Sequence, residues 1–93
     1  MSVTVRVPTI LRTYTGGAAE VSVEGDDLTL AGLLDALEAD HPGIRARVLD
    51  DDGKLRRFVN IYVGDEDVRF SDGLATPVPA GSSVSVIPAV AGG

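Results

Sequence analysis

The residues with the clearest chemical use stand at the end of this sequence: Gly92-Gly93, preceded by Pro88-Ala89-Val90-Ala91. Two residues without a Cβ make a thin, conformationally free segment that can enter a channel too narrow for side chains. The carboxylate at its tip is a poor electrophile, but adenylation turns it into a mixed anhydride open to attack by a sulfur nucleophile or an amine. That chemistry belongs to a separate activating enzyme and asks for no catalytic side chain on this chain. Taken alone, the dipeptide reads equally well as a frayed terminus; the residues before it decide.

The side chains offer little competing chemistry. None of the 93 residues is cysteine, which excludes disulfides, thiolate metal sites, iron–sulfur clusters and cysteine nucleophiles. His41 is the single histidine and has no Cys or His partner with which to hold a metal. Ser71, Ser82, Ser83 and Ser85 have no histidine or lysine base nearby in sequence, and nothing resembles a nucleophile elbow. Asp50-Asp51-Asp52-Gly53 lacks the alternating carboxylates and trailing bidentate Glu of a calcium loop and reads as a polar turn. No catalytic residue, metal site or bound cofactor is therefore assigned.

Fourteen acids against eight bases give a formal charge of −6, which opposes non-specific binding to nucleic acid or anionic membrane and favours a basic partner. The basic concentration at Arg45, Arg47, Lys54, Arg56 and Arg57 lacks interleaved aromatics, so it suits the flank of a protein interface better than a nucleic-acid platform. Met1-Ser2 leads straight into an alternating segment without a basic start or long apolar run, and the expected location is the cytoplasm.

The elements that must carry the tail are legible from periodicity. Val3, Val5 and Val7 alternate with polar residues and Pro8 closes the run, which predicts a first strand. After a looser stretch from Thr9 to Gly17, Val21 and Val23 predict a second strand, antiparallel to the first. Thr29 can cap a helix of about three turns whose Leu30, Leu33, Leu34 and Leu37 form one apolar stripe, stopped at His41-Pro42-Gly43. Ile44 to Val48 adds a short turn. Val59, Ile61 and Val63 share the face of a third strand, and Gly64 to Asp67 turns the chain into Val68-Arg69-Phe70. A last strand over Ser83–Ile87 has Val84 and Val86 on its core face, and Pro88, lacking an N–H, ends its pairing. By the same parity Tyr62, Ser85 and Ile87 face outward, as a docking surface or as partly buried packing.

The order strand, strand, helix, strand or two, strand predicts an α+β fold of the β-grasp (ubiquitin-like) type, a mixed sheet of four to five strands with one main helix across one face. The expected organisation is a domain over residues 1–88 and a flexible tail over 89–93.

The run Gly81-Ser82-Ser83-Val84-Ser85-Val86-Ile87-Pro88-Ala89-Val90-Ala91-Gly92-Gly93 resembles the C-terminal signature of the ubiquitin-like sulfur carriers of the MoaD/ThiS family. Ser82 stands where that signature has Asp, a change in the turn and not in the tail. Upstream, Val7-Pro8-Thr9-Ile10-Leu11-Arg12, Lys54-Leu55, Arg57 to Val63, Asp65 to Phe70 and Gly73-Leu74-Ala75-Thr76 resemble the carriers of this family that serve cysteine biosynthesis, with Gly64 in place of a common Asn. The resemblance implies that Gly93 passes through an acyl-adenylate made from ATP to a thiocarboxylate. It implies that Pro88, Ala89, Val90, Ala91 and Gly92 are read as the tail, and that an E1-like adenylating sulfurtransferase of the MoeB/ThiF type installs the sulfur. A pyridoxal-phosphate-dependent cysteine synthase would then accept the sulfur, and a zinc metallopeptidase would release cysteine. Carriers for molybdopterin, thiamine or secondary metabolites, and ubiquitin-like protein modifiers, share the same tail.

Overall fold

The computed structural model describes residues 2–57 and 59–88. Along the chain run β1 (Ser2–Arg6), β2 (Glu20–Glu24), β3 (Leu28–Thr29), α1 (Leu30–Asp40), α2 (Arg45–Val48), β4 (Val59–Val63), β5 (Glu66–Asp67), β6 (Pro77–Val78) and β7 (Ser83–Pro88). The main sheet has the order β2-β1-β7-β4-β5. Its one parallel pair is β1 with β7, and the other neighbours run antiparallel. α1 lies across one face, which is the β-grasp arrangement expected from the element order.

Alternation decides which side of each strand meets the helix. Val3 and Val5 of β1, Val23 of β2, Ile61 of β4 and Val84 of β7 are buried against Leu30, Leu33, Leu34 and Leu37 of α1. Each such leucine contributes about 1.5–3 kcal/mol by leaving water, so the aliphatic core compensates for the scarcity of aromatics. Thr29 caps the helix as expected, its Oγ1 accepting the Gly32 N–H at 3.2 Å. Among the described residues no helix is long and apolar enough to cross a membrane.

Two stretches differ from the periodicity reading, and a third, residues 74–78, is one to which it assigns no element. Thr9–Thr15, expected as loose, is a 3₁₀ helix that buries Leu11 and Thr15. It is braced by side-chain bonds that periodicity does not register: Arg12 Nε donates to Val7 O at 3.1 Å, and Thr15 Oγ1 to Ala18 O at 2.8 Å. Within Leu74–Val78, only Pro77 and Val78 are extended, and they pair with Leu28 and Thr29 in a second ladder outside the main sheet. That ladder pins the start of α1, whose Leu30 N–H donates to Thr76 O at 3.0 Å. Val68–Phe70 is a 3₁₀ turn, because the Asp67 carboxylate accepts the Arg69 N–H at 2.9 Å and ends β5 after two residues.

At the carboxyl end of α1, Gly43 takes φ +99° and Glu38 reaches over the corner. Its two carboxylate oxygens accept the Gly43 and Arg45 N–H groups, each at 2.9 Å. Those bonds hold the Glu38 carboxyl below its ordinary pKa. Arg45 Nε lies 3.0 Å from Asp35 Oδ1, and Arg47 donates to the Tyr14 hydroxyl at 2.6 Å.

Candidate functional site at the root of the tail

β7 bears the tail and is the central strand of the sheet. Gly81, at φ +86°, and the Ser82 N–H donating to Pro79 O form the turn that launches it; serine at position 82 is accommodated there. Val84 pairs with Val5 of β1 on one side and Val63 of β4 on the other. Pairing with β4 continues through Ile87, opposite Asn60, to Pro88, opposite Val59. Pro88 is therefore the last residue of the strand rather than the first beyond it. As it offers no N–H, its place at the strand end costs no ladder bond. Ala89, Val90, Ala91, Gly92 and Gly93, the expected tail, lie outside the described residues.

The two flanks of β7 are unequal. Its register with β1 stops at Arg6 and Ser85, because β1 turns away at Pro8 into the 3₁₀ segment. Past that point β7 is paired on the β4 side only, and an open groove of about 290 Å³ lined by Arg6, Val7, Pro8, Ser85, Val86 and Ile87 runs beside the strand.

Tyr62 and Ser85 are directly opposite one another, between Arg6 and Asp67, so the outer face carries one row across the sheet: Glu20, Arg6, Ser85, Tyr62, Asp67. Arg6 and Glu20 form an ion pair at 3.5 Å. Tyr62 and Ser85 are half-buried, and Ile87 is 47% exposed. The structure thus brings these three residues onto one surface leading to the tail root. The β4–β5 hairpin, where Gly64 replaces the common Asn, turns with Gly64 at φ +62°.

Arg45 and Arg47 are engaged at the end of α1, and Arg56 stays with them, its Nε donating to Ala46 O on the turn between the two. Arg56 and Arg57 also line a hollow with Val59, and a residue that sequence grouping missed, Arg69, joins them. The Arg69 guanidinium donates to Asn60 Oδ1 at 2.9 Å and to Arg56 O at 2.6 Å. Extending the β4–β5 register beyond Asp67 and Tyr62 would have placed Arg69 near Asn60. Asp50, the first acid of the polar turn, accepts the Asp52 and Lys54 N–H groups on Oδ1, which makes its carboxylate a turn cap. His41 caps the end of α1, its N–H donating to Leu37 O at 2.8 Å.

Comparison with known proteins places this geometry. A ThiS family model matches residues 5–93. The chain is 58% identical, over the full length of both, to the sulfur carrier protein CysO of Mycobacterium tuberculosis. It superposes with a TM-score of 0.89 and 50% identity on a chain from the crystal structure of the Amycolatopsis orientalis BexX/CysO complex, covering 98% of this chain and 99% of that one. It is also 40% identical, over 73% of each chain, to small archaeal modifier protein 3 of Haloferax volcanii.

Proposed function

The chain belongs to the ThiS family, and on that premise we propose that it is a sulfur carrier protein whose working group is the carboxylate of Gly93. An E1-like adenylating enzyme transfers AMP from ATP to that carboxylate, releasing pyrophosphate; sulfide then displaces AMP and leaves a thiocarboxylate, or a persulfide displaces it and a thiol cleaves the resulting acyl disulfide to the same thiocarboxylate, itself ending in a disulfide. A pyridoxal-phosphate-dependent cysteine synthase consumes the thiocarboxylate by adding its sulfur to an aminoacrylate. An S-to-N acyl shift leaves cysteine amide-linked to Gly93, and a zinc metallopeptidase frees it. In this scheme the folded domain supplies recognition and the enzymes supply catalysis.

The observation that carries the reading is the full-length 58% identity to a sulfur carrier, in a sequence that keeps Gly92-Gly93. The central position of β7 supports it: the strand that leads into the tail is held in the middle of the sheet. Co-expression with an adenylating sulfurtransferase from the same genome, followed by intact mass measurement, is the test. The expected product is heavier by the exchange of one oxygen for sulfur; an unchanged mass with an active enzyme overturns the reading.

A second use of the same activated glycine is suggested by the similarity to an archaeal modifier protein: capture by a lysine amine of another protein. Lys54 is the single lysine here and would be the one side-chain site for chain extension. Conjugation would then give mainly single additions, and adduct ladders that survive Lys54→Arg would argue against it.

A further inference from the structure

Resting on the carrier reading, we propose that Arg56, Arg57 and Arg69, with Phe70 beside them, are a docking site for a carboxylate-rimmed apolar socket on the adenylating enzyme that receives the tail. The placement comes from the backbone. Past Asp67, opposite Tyr62, the chain continues along β4 toward Val59, and Val59 is opposite Pro88. Arg69 confirms that course by bonding to Asn60 and to the carbonyls of Arg56 and Arg57. The Arg69 guanidinium therefore lies on the main chain of Arg56 and Arg57, and those two residues line a hollow with Val59, the partner of Pro88 at the strand end from which the tail departs.

The guanidinium groups of Arg56 and Arg69 are held by neutral acceptors. Arg69 donates to one amide oxygen and two carbonyls, and Arg56 Nε donates to Ala46 O at 3.0 Å. Among the described residues none of the three is in an ion pair. Of the acids nearby, Asp67 accepts the Arg69 N–H and Asp50 those of Asp52 and Lys54, and neither is in an ion pair with the three arginines. Asp50 lines a hollow of about 360 Å³ together with Arg56, Arg57 and Val59.

Phe70 is 91% exposed, yet its turn is held by the Asp67 cap and by the Ser71 N–H donating to Val68 O at 3.1 Å. Single exposed apolar residues are ordinary. This one differs in being presented on a braced turn, next to Arg69 in sequence. Aromatic and arginine side chains are the usual anchors of protein interfaces.

Screening selects the class of partner. At physiological salt, charges act over about 8 Å, so a protein rim bearing a few carboxylates meets the local arginines. An extended polyanion would also meet the −6 charge of the whole chain. Guanidinium pairs with carboxylate in a bidentate geometry suited to such a rim.

The test is binding of the co-expressed adenylating enzyme to the carrier without ATP, across a salt series, alongside KM and kcat for thiocarboxylation. The variants are Arg56→Glu/Arg57→Glu, Phe70→Ala and Arg69→Gln, each checked for unchanged circular dichroism and melting temperature. Arg56→Glu/Arg57→Glu is expected to weaken binding and raise KM by about tenfold, keep kcat, and flatten the salt dependence seen with the parent. Phe70→Ala should raise KM without changing the salt slope. A chain lacking Gly92 and Gly93 should still compete with the intact carrier, and should stop competing once Arg56 and Arg57 are reversed. Parent-like binding and KM in folded variants overturns the docking site even if thiocarboxylation proceeds. So does tighter binding of the parent to a single-stranded oligonucleotide than to the adenylating enzyme. Binding without thiocarboxylation overturns the carrier reading alone, and no binding by the parent overturns both.

Discussion

At the carboxyl end of α1 the acids are answered within the molecule: Glu38 sits on two N–H groups and Asp35 beside Arg45. At the root of the tail, Arg56 and Arg69 are oriented by carbonyl and amide oxygens, and their positive charge remains available. Both regions are polar, rigid and near the surface, yet the first uses its charges to close a chain turn and the second to present them. A charge that is satisfied internally contributes to stability; one that is positioned but unneutralised contributes to an encounter. Mutations in the two regions should therefore separate folding from transfer.

The largest effect is expected from the tail. Removing Gly92 and Gly93 should abolish sulfur loading while leaving the melting temperature within about 1 °C, because termini contribute little to the fold. A large fall in melting temperature would show that the tail packs on the domain and would dissolve the contrast. Reversing Arg56 and Arg57 comes next, moving KM and not stability. In the opposite region, Gly43→Ala should act the other way. Gly43 is at φ +99°, and an added Cβ would lie 2.9 Å from Tyr14 Cε1, on a ring whose hydroxyl is held by Arg47. Urea unfolding should show a loss of about 1–3 kcal/mol, with sulfur loading of the folded fraction unchanged. Reduced loading by folded protein would mean that this corner, too, meets a partner.

Much of this contrast could be read in the sequence, in unequal measure. The alternating valines of β1, β2, β4 and β7 and the leucine stripe of α1 are repeated signals set by burial of one face, and they specified the fold and the outward parity of Tyr62, Ser85 and Ile87. The 3₁₀ segment Thr9–Thr15 was not legible, because its order comes from Arg12 and Thr15 bonding to carbonyls rather than from any period. The short pairing of Leu28-Thr29 with Pro77-Val78 joins residues far apart in sequence, with too few positions to show alternation. Grouping the arginines by chain distance omits Arg69, which only the hairpin register and the Asn60 contact bring to Arg56 and Arg57. The tail motif was legible as chemistry, since its use depends on the absence of side chains.

The smallest effect belongs to Glu38, and its pH dependence is the finest probe of the matched region. Hydrogen bonds from Gly43 and Arg45 N–H, with a further contribution from the Arg45 charge, lower its pKa in the folded state. The unfolded chain has no such bonds, so Glu38 binds a proton more readily there. The stabilisation it provides is thus fully present above the ordinary glutamate pKa and is lost as pH falls through the lowered folded value. Glu38→Gln removes the charge and can offer only one oxygen to two donors. Its melting temperature should fall below the parent's at neutral pH, with a gap that narrows on going from about pH 7 to about pH 3. Asp35→Asn, which leaves both backbone bonds to Glu38 in place, controls for the neighbouring ion pair and should retain most of the parent's acid profile. A gap that stayed constant across this range would mean that Glu38 acts by packing alone, and the claim that this corner is held by matched charge would fail.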